Sequence, residues 1–556
     1  MKKLITLLLL AIATTSFAQD KVWVFFKDKD VSSFNPYEYF DQKAIDRRLL
    51  NGLPLVEFTD VAVTSNYIKS VKDITGNVKV VTRWFNGVCC FATEDQKKKI
   101  LDLPYVESVK TVSTIEKHCA GLSSTYEDGD FEPTDDQIKF LKAQTQRMGV
   151  ESFKKNSITG KGVRVAIFDV GFKSYTTNPA FNHIRENNRI IATYNFVQKK
   201  EDVDNGGTHG TFVMSCVGGI INGHNIGLAT DAEFLLARTE TWTEFYSEEE
   251  NWLAAAEWAD KNGADVINSS LGYTYHRYFR EDMDGATSLV AKAANMAARK
   301  GILVVNSAGN EGSAKWKNIG TPADADSVLS IGGIHPRTGI HTSFSSFGPT
   351  WDKRLKPNVT AYGHVIGSGP KGISETQGTS FSGPLVAGFA ACAKQARPGY
   401  TNMQLFDDIH KSADLYPYFD YAHGYGVPQA SYYFKMPQKS EKTFEIKIKN
   451  TTVNILLDTS KMKDENLGSK NTLKFEDRYI KWPNYVFYHI ENSKGYLDKY
   501  FVVDPTDLFG NIKVDDNQLK EGAQSTSPLN ISKADYARPF TLRVFYKGHV
   551  EEILVK

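Results

Sequence analysis

The stretch Gly378-Thr379-Ser380-Phe381-Ser382-Gly383-Pro384 sets a serine among small residues, at the head of an apolar helical run through Leu385, Val386, Ala387, Phe389 and Ala390. A serine hydroxyl is a weak nucleophile at neutral pH and needs a base that is itself oriented by a third group. Upstream, Val163-Arg164-Val165-Ala166-Ile167-Phe168-Asp169-Val170-Gly171 is almost wholly apolar and ends in a carboxylate. That pattern suits a parallel strand, buried on both faces, that delivers an acid to the carboxyl edge of a sheet. Between the two, Gly206-Gly207-Thr208-His209-Gly210-Thr211-Phe212-Val213 puts a histidine where a Gly-rich loop opens a helix. Acid, base and nucleophile thus run Asp169, His209, Ser380 along the chain, each on its own element.

The surrounding sequence predicts the sheet. From about 145 to 435 apolar strands alternate with helical stretches: Val163–Asp169, Phe234–Arg238, Val266–Ser270, Ile302–Asn306 and Val328–Gly332 as strands, His209–Gly219, Glu248–Asn262, Ala286–Arg299 and Thr379–Gln395 as helices. Such alternation implies a doubly wound α/β domain, a parallel sheet with helices on both faces.

Taken together, these segments resemble the subtilisin-like serine proteases (subtilases). Ala166-Ile167-Phe168-Asp169-Val170-Gly171 resembles the family's aspartate block, with Val170 where threonine or serine is commoner. His209-Gly210-Thr211-Phe212-Val213 resembles its histidine block, with Phe212 where a second histidine is frequent, and the serine block differs in carrying Ser382 where alanine is commoner. Asn268-Ser269-Ser270-Leu271-Gly272 resembles the strand that binds extended substrate. Ser307-Ala308-Gly309-Asn310-Glu311-Gly312 resembles the oxyanion block, and Gly424-Tyr425-Gly426-Val427-Pro428-Gln429-Ala430 the closing motif. The order aspartate, histidine, serine is also the subtilisin order among the unrelated folds that assemble this triad. An α/β-hydrolase fits poorly: its elbow needs glycine two residues after the serine, where this chain has Ser382, and its acid and histidine follow the serine.

The resemblance implies a serine endopeptidase acting on polypeptides. Ser380 would attack the scissile carbonyl, His209 would take its proton and return it to the leaving amine, and Asp169 would hold the imidazole in the right tautomer. Asn310 would offer its side-chain amide, beside the Ser380 backbone N–H, to the negative oxygen of the tetrahedral intermediate. Ser270, Leu271 and Gly272 would pair with substrate as an added strand. Ser307, Ala308 and Gly309 would wall the pocket for the residue before the cut, with Gly320 at its base; small and uncharged, they predict apolar or aromatic residues there. The alternative is a catalytically silent subtilase scaffold used for binding or adhesion. No cofactor is needed for the chemistry, no Cys/His spacing suggests zinc, and structural calcium is left open.

At 556 residues and 41% hydrophobic content the chain is long enough for several domains. Met1-Lys2-Lys3, the apolar run Leu4 to Ala13 and Ser16-Phe17-Ala18 read as a signal peptide, residues 1–18, too short in its apolar part to span a bilayer. The expected product is exported, whether secreted, periplasmic or at the cell surface, with no integral membrane segment. Formal net charge is +1, turned slightly negative by loss of Lys2 and Lys3, which gives no electrostatic case for nucleic acid. Five cysteines are too few for a disulfide scaffold at this length; Cys216 and Cys392, among helical apolar residues, read as buried free thiols, with a bridge between them as the lesser alternative.

Residues 19–118 read strand, helix, two strands about Asn86-Gly87, helix, strand, and resemble the ferredoxin-like inhibitory propeptide of subtilases, including Phe85-Asn86-Gly87 and Leu103-Pro104-Tyr105-Val106. This prodomain would act as an intramolecular inhibitor and folding template. It would be cut from the body between about Val112 and Thr145, a window that contains the polar linker of residues 119–144. The catalytic domain follows at 145–435. Beyond it, residues 436–556 carry alternating or aromatic β-runs, Phe444–Ile448, Tyr485–Ile490, Lys499–Val503 and Phe540–Tyr546, which predict a β-sandwich.

Overall fold

The computed structural model describes residues 19–112 except Ser33, 129–241, 246–434 except His276, 440–449, 452–458, 485–504 and 529–556. Two compact units emerge: one holds the described residues within Met1–Asn35 and Val56–Ile115, the other those within Pro36–Leu55 and Glu116–Lys556.

In the smaller unit the strands lie in the order Val80–Thr82, Gly87–Ala92, Asp20–Phe26, Val106–Thr111, each antiparallel to its neighbour. Side chains alternate across a strand, so Val22, Val24 and Phe26 join Val88, Cys90 and Ala92 on one face. There they meet Val71 of the helix Ser65–Thr75 and Ile100 of Glu94–Leu101. The tight connection between the two central-sequence strands rests on Asn86, which takes φ 50°, a left-handed conformation that asparagine tolerates. Its side-chain amide donates to Phe26 O at 2.7 Å and to Asp28 O at 3.0 Å.

The larger unit is built on a seven-stranded sheet, ordered Val359–Tyr362, Val328–Ile334, Leu303–Ser307, Val266–Ser269, Arg164–Asp169, Glu233–Arg238, Ile190–Asn195, with every neighbouring pair parallel. Its central strands are mostly apolar because both faces are covered. Val165, Ile167, Phe234 and Leu236 face a core shared with the helices His209–Gly218 and Thr379–Ala396. The alternate residue Phe168 meets Trp252 of the helix Ser247–Lys261 at a ring separation of 5.4 Å, and that helix packs with Leu289–Arg299. Helix Thr379–Ala396 is buried along nearly its whole length, which is why its sequence is apolar all round. It passes close to its neighbour at Gly388, where a Cβ would stand 2.6 Å from Val217 O. The two edge strands went unread in sequence: Ile190–Asn195 is half-exposed and mixed in polarity, and Val359–Tyr362 has only four residues.

Part of the stretch read as linker belongs to the body. Asp135–Gln146 is a helix whose acidic first turn hides the apolar pair Phe140 and Leu141, both in the main core. Just before it, Asp130 O accepts from Ile373 N at 2.9 Å, against the strand Gly372–Gln377. Glu127 and Asp128 lie outside the described residues.

Downstream, two antiparallel sheets form, Phe444–Ile448, Thr452–Leu457, Leu529–Ser532 and Leu497–Val503, Val486–Glu491, Phe540–Tyr546, His549–Val555. Phe444, Val453 and Ile455 of the first share a core with Val486, Tyr488, Leu542 and Val544 of the second, a two-layer β-sandwich. The second sheet uses its other face as well: Phe487 and Phe545, one residue out of phase, pack on Leu415 and the fully buried Tyr418 of the body. Double burial explains the aromatic density of these strands.

Candidate active site

Asp169 ends the strand Arg164–Asp169, where the order of the sheet reverses: later strands lie on both sides of it. Such switch points open a crevice at the carboxyl ends of the strands. Its carboxylate is nearly fully buried, accepts from Val170 N at 2.8 Å, and faces Nδ1 of His209 at 2.9 Å from each oxygen. His209 is the first residue of its helix, and Gly210 lets that turn close on the strand: a Cβ there would stand 2.5 Å from Gly171 O and 3.0 Å from Asp169 Cβ. The imidazole is about one-fifth exposed and lies against Phe381, ring centroids 5.3 Å apart. Burial of the ring works against its charging, but the Asp169 charge and hydrogen bond outweigh it and hold the imidazole above its ordinary value.

Ser380 is the second residue of the helix Thr379–Ala396 and is partly exposed. Its Oγ donates to the carbonyl of Ser270 at 3.2 Å, and its own carbonyl accepts from Ser270 Oγ at 3.0 Å. The hydroxyl is thus turned to the strand end at Ser270. Asn310 is fixed by its oxygen: Oδ1 accepts from Thr379 N and Thr379 Oγ1, each at 2.9 Å, and Thr379 Oγ1 accepts from Gly309 N at 3.2 Å. This pins the amide orientation, leaving Nδ2 on the side of Gly378, 3.5 Å from where a Cβ of that glycine would be.

Ser270, Leu271 and Gly272 continue from the strand Val266–Ser269; Asn268 Nδ2 donates to Ser270 Oγ at 3.1 Å and Asn306 Nδ2 to Leu271 O at 3.0 Å. Gly272 is open, with only Thr321 O within reach at 3.7 Å. Ser307, Ala308 and Gly309 close the neighbouring strand end, Ala308 N donating to Ile331 O at 2.9 Å. Gly320 abuts the same crevice: a Cβ would fall 2.7 Å from Tyr273 O, and Tyr273 bridges Thr321. All the sequence-selected residues thus gather at one edge of the sheet. Thr379, Asn306 and the Ser270 hydroxyl were not singled out in sequence; only adjacency to Ser380 and Ser307 hinted at the first two.

Cys216 and Cys392 are buried and free, and burial pushes the Cys216 thiol up to about 12 and raises Cys392 as well, so neither supplies a thiolate. Among the described residues no three His, Cys, Asp or Glu side chains converge as metal ligands. His183 bonds Gly218 O at 2.9 Å, and His335 and His364 face each other at 5.1 Å.

The subtilase family model matches residues 160–426, and the model for the peptidase S8 propeptide domain of Bacteroidota matches residues 21–125. Subtilisin E of Bacillus subtilis (strain 168) is 30% identical over 288 residues, half of this chain and 69% of that protein. The chain belongs to the subtilase family of serine proteases. Subtilisin BL of Lederbergia lenta is similar too, 28% identical over 268 residues that make up 48% of this chain and 89% of that one. The subtilase match contains every residue of the crevice described above, and this subtilase is made with an N-terminal propeptide domain of the S8 type.

Proposed function

We propose that this subtilase is an exported endopeptidase, released from its own propeptide, in which Asp169, His209 and Ser380 cut peptide bonds of polypeptides. The observation that carries the reading is the buried Asp169 carboxylate bonded to His209 Nδ1 at 2.9 Å, with the imidazole against Phe381, the residue after Ser380 at its helix start. With Nδ1 so engaged, Nε2 is left to accept the Ser380 proton once the hydroxyl rotates from Ser270 O toward the ring. Ser380 Oγ then bonds the scissile carbon, the carbonyl π pair moves onto oxygen, and Asn310 Nδ2 and the Ser380 N–H receive that charge. Collapse expels the leaving amine, which takes the proton from His209, and water repeats the sequence to free the acid. Substrate extends along Ser270, Leu271 and Gly272 with an apolar or aromatic residue beside Ser307, Ala308 and Gly309; a peptide-library profile dominated by Arg or Lys would contradict that preference. Export rests on residues 1–18, which lie outside the described residues; among the described residues no helix is long and apolar enough to cross a membrane.

One observation favours a silent scaffold instead: Ser380 Oγ is bonded to Ser270 O rather than to His209. A serine-directed fluorophosphonate separates the two readings. The endopeptidase predicts stoichiometric modification of Ser380 in processed protein and none in Ser380→Ala; properly folded, processed protein that stays unlabelled would mean a scaffold.

A further inference from the structure

Residues 36–55 fall inside the propeptide match, 21–125, yet pack as part of the protease body. They form two helices, Pro36–Tyr39 and Gln42–Leu50, inserted between the first strand of the propeptide sheet and the rest of that fold. The second helix carries two arginines that are almost wholly buried, Arg47 and Arg48, 4% and 1% exposed, on the fully buried Asp260. Arg48 Nη2 meets Asp260 Oδ2 at 3.0 Å, and Arg47 pairs with Oδ1. Arg47 also donates to Lys300 O at 3.0 Å, to Asp260 O at 3.2 Å and to Ala264 O. These carbonyls lie at the C-terminal ends of the helices Ser247–Lys261 and Leu289–Arg299, where backbone acceptors are left over and a cation is favoured. The close approach is built in: Gly263 and Gly301 have φ +70° and +87°, and a Cβ on them would meet Lys43 Cβ at 2.7 Å and Asn51 Nδ2 at 2.6 Å.

The place of this contact matters. Asp265 and Leu303 mark the entries of their strands, as Arg164 and Glu233 do, and the rim pairs Arg164–Asp41 and Lys43–Glu233 lie there, at 3.2 and 3.7 Å. Asp169, Ser270 and Ser307 stand at the other ends of the same strands, four or five residues on, about 13–17 Å away at the rise of a strand. An inhibitory tail lying in the substrate crevice would not need this anchor.

We propose that the Asp260 site is a propeptide receptor on the protease body, occupied by the helix Gln42–Leu50, and that it keeps the cleaved propeptide bound independently of the active-site crevice. The proposal rests on the propeptide match and does not depend on the catalytic reading. A buried carboxylate that loses its cationic partners within the complex is strongly disfavoured, so removing the arginines should loosen the fragment rather than leave it in place.

The test uses full-length Ser380→Ala protein with a recognition site for an external protease placed within residues 113–128. After nicking, release of the N-terminal fragment is followed on dilution by gel filtration. Arg47→Leu with Arg48→Leu should release it at least about 100-fold faster than the parent. Should that variant fail to fold, Asp41→Ala with Lys43→Ala, at the more exposed rim, carries the test with an expected rise of about 3-fold, since partly exposed pairs are weaker. A release rate that is the same in the parent and in whichever variant folds would overturn the proposal and assign retention to the other propeptide contacts. Because the nick is made externally, failure of fluorophosphonate labelling and failure of retention are separate outcomes.

Discussion

Ser380 is held with its hydroxyl on Ser270 O while Asn310 is already locked by Thr379, so in the proposed reaction Asn310 would be preorganised as oxyanion donor and Ser380 would have one rotation to make as nucleophile. Asn310→Ala should therefore lower kcat about 10²–10³-fold with little change in KM, because its amide bonds the developing oxyanion more strongly than the ground-state carbonyl. Steady-state kinetics on a chromogenic peptide reads this, and a change confined to KM would make Asn310 a positioning residue. His209, held above its ordinary value by Asp169 despite burial, must be neutral to act as base, so kcat/KM should fall as pH drops through that raised value. Asp169→Asn removes the raising charge: the acid limb should move to lower pH, and kcat should drop on the order of 10⁴-fold through loss of the productive tautomer. The same raised value means that the pair adds stability which is complete below the unfolded imidazole value of about 6.5 and fades as pH rises through the folded one.

At the scale of elements, the crevice depends on strand ends being held apart by backbone rather than by side chains. Gly320 shows this: a Cβ would press on Tyr273 O, one residue beyond Ser270-Leu271-Gly272. Gly320→Ala should displace the substrate strand and raise KM several-fold more than it lowers kcat; unchanged KM for extended peptides would separate this contact from substrate binding. The elements proposed to carry chemistry were also the most legible ones. Strands buried on both faces, such as Val266–Ser269, and the all-apolar helix Thr379–Ala396 announce themselves by composition. Ile190–Asn195, half-exposed at the sheet edge, and the short Val359–Tyr362 lack that signature, and Asp135–Gln146 shows a polar outer face that reads as linker.

For the whole molecule, a maturation cut between about Val112 and Thr145 has to avoid the helix Asp135–Gln146, whose Phe140 and Leu141 lie in the main core. Wild-type protein should acquire an N-terminus in that window by Edman or mass analysis, whereas Ser380→Ala in a protease-deficient host should accumulate uncut; identical trimming of both would require an external protease. The C-terminal sandwich is tied to the body by Phe487 and Phe545 against Tyr418, and His489 Nδ1 meets Phe419 O at 2.6 Å. Phe487→Ala should cost about 3–5 kcal/mol, the usual range for truncating a buried phenylalanine. That is a fall of several degrees in the calorimetric transition, while hydrolysis of a short peptide stays near the parent's.

The sequence by itself determined the parallel sheet and the order in which Asp169, His209 and Ser380 enter it, because apolar runs ending in Asp169 and Ser269 and glycine-flanked His209 and Ser380 are local patterns imposed by burial and tight turns. Only the tertiary structure decided which backbone groups orient those side chains, Thr379 on Asn310 and Ser270 on Ser380. It alone assigned the helix Gln42–Leu50, inside the propeptide match, to the protease body. No local pattern marks Arg47 and Arg48 as buried; their burial is set by Asp260, more than 200 residues away, and by carbonyls left over at two helix ends. Pairing across that distance leaves no periodicity in the chain, since it depends on where the helices stop in space and not on what neighbours the arginines in sequence.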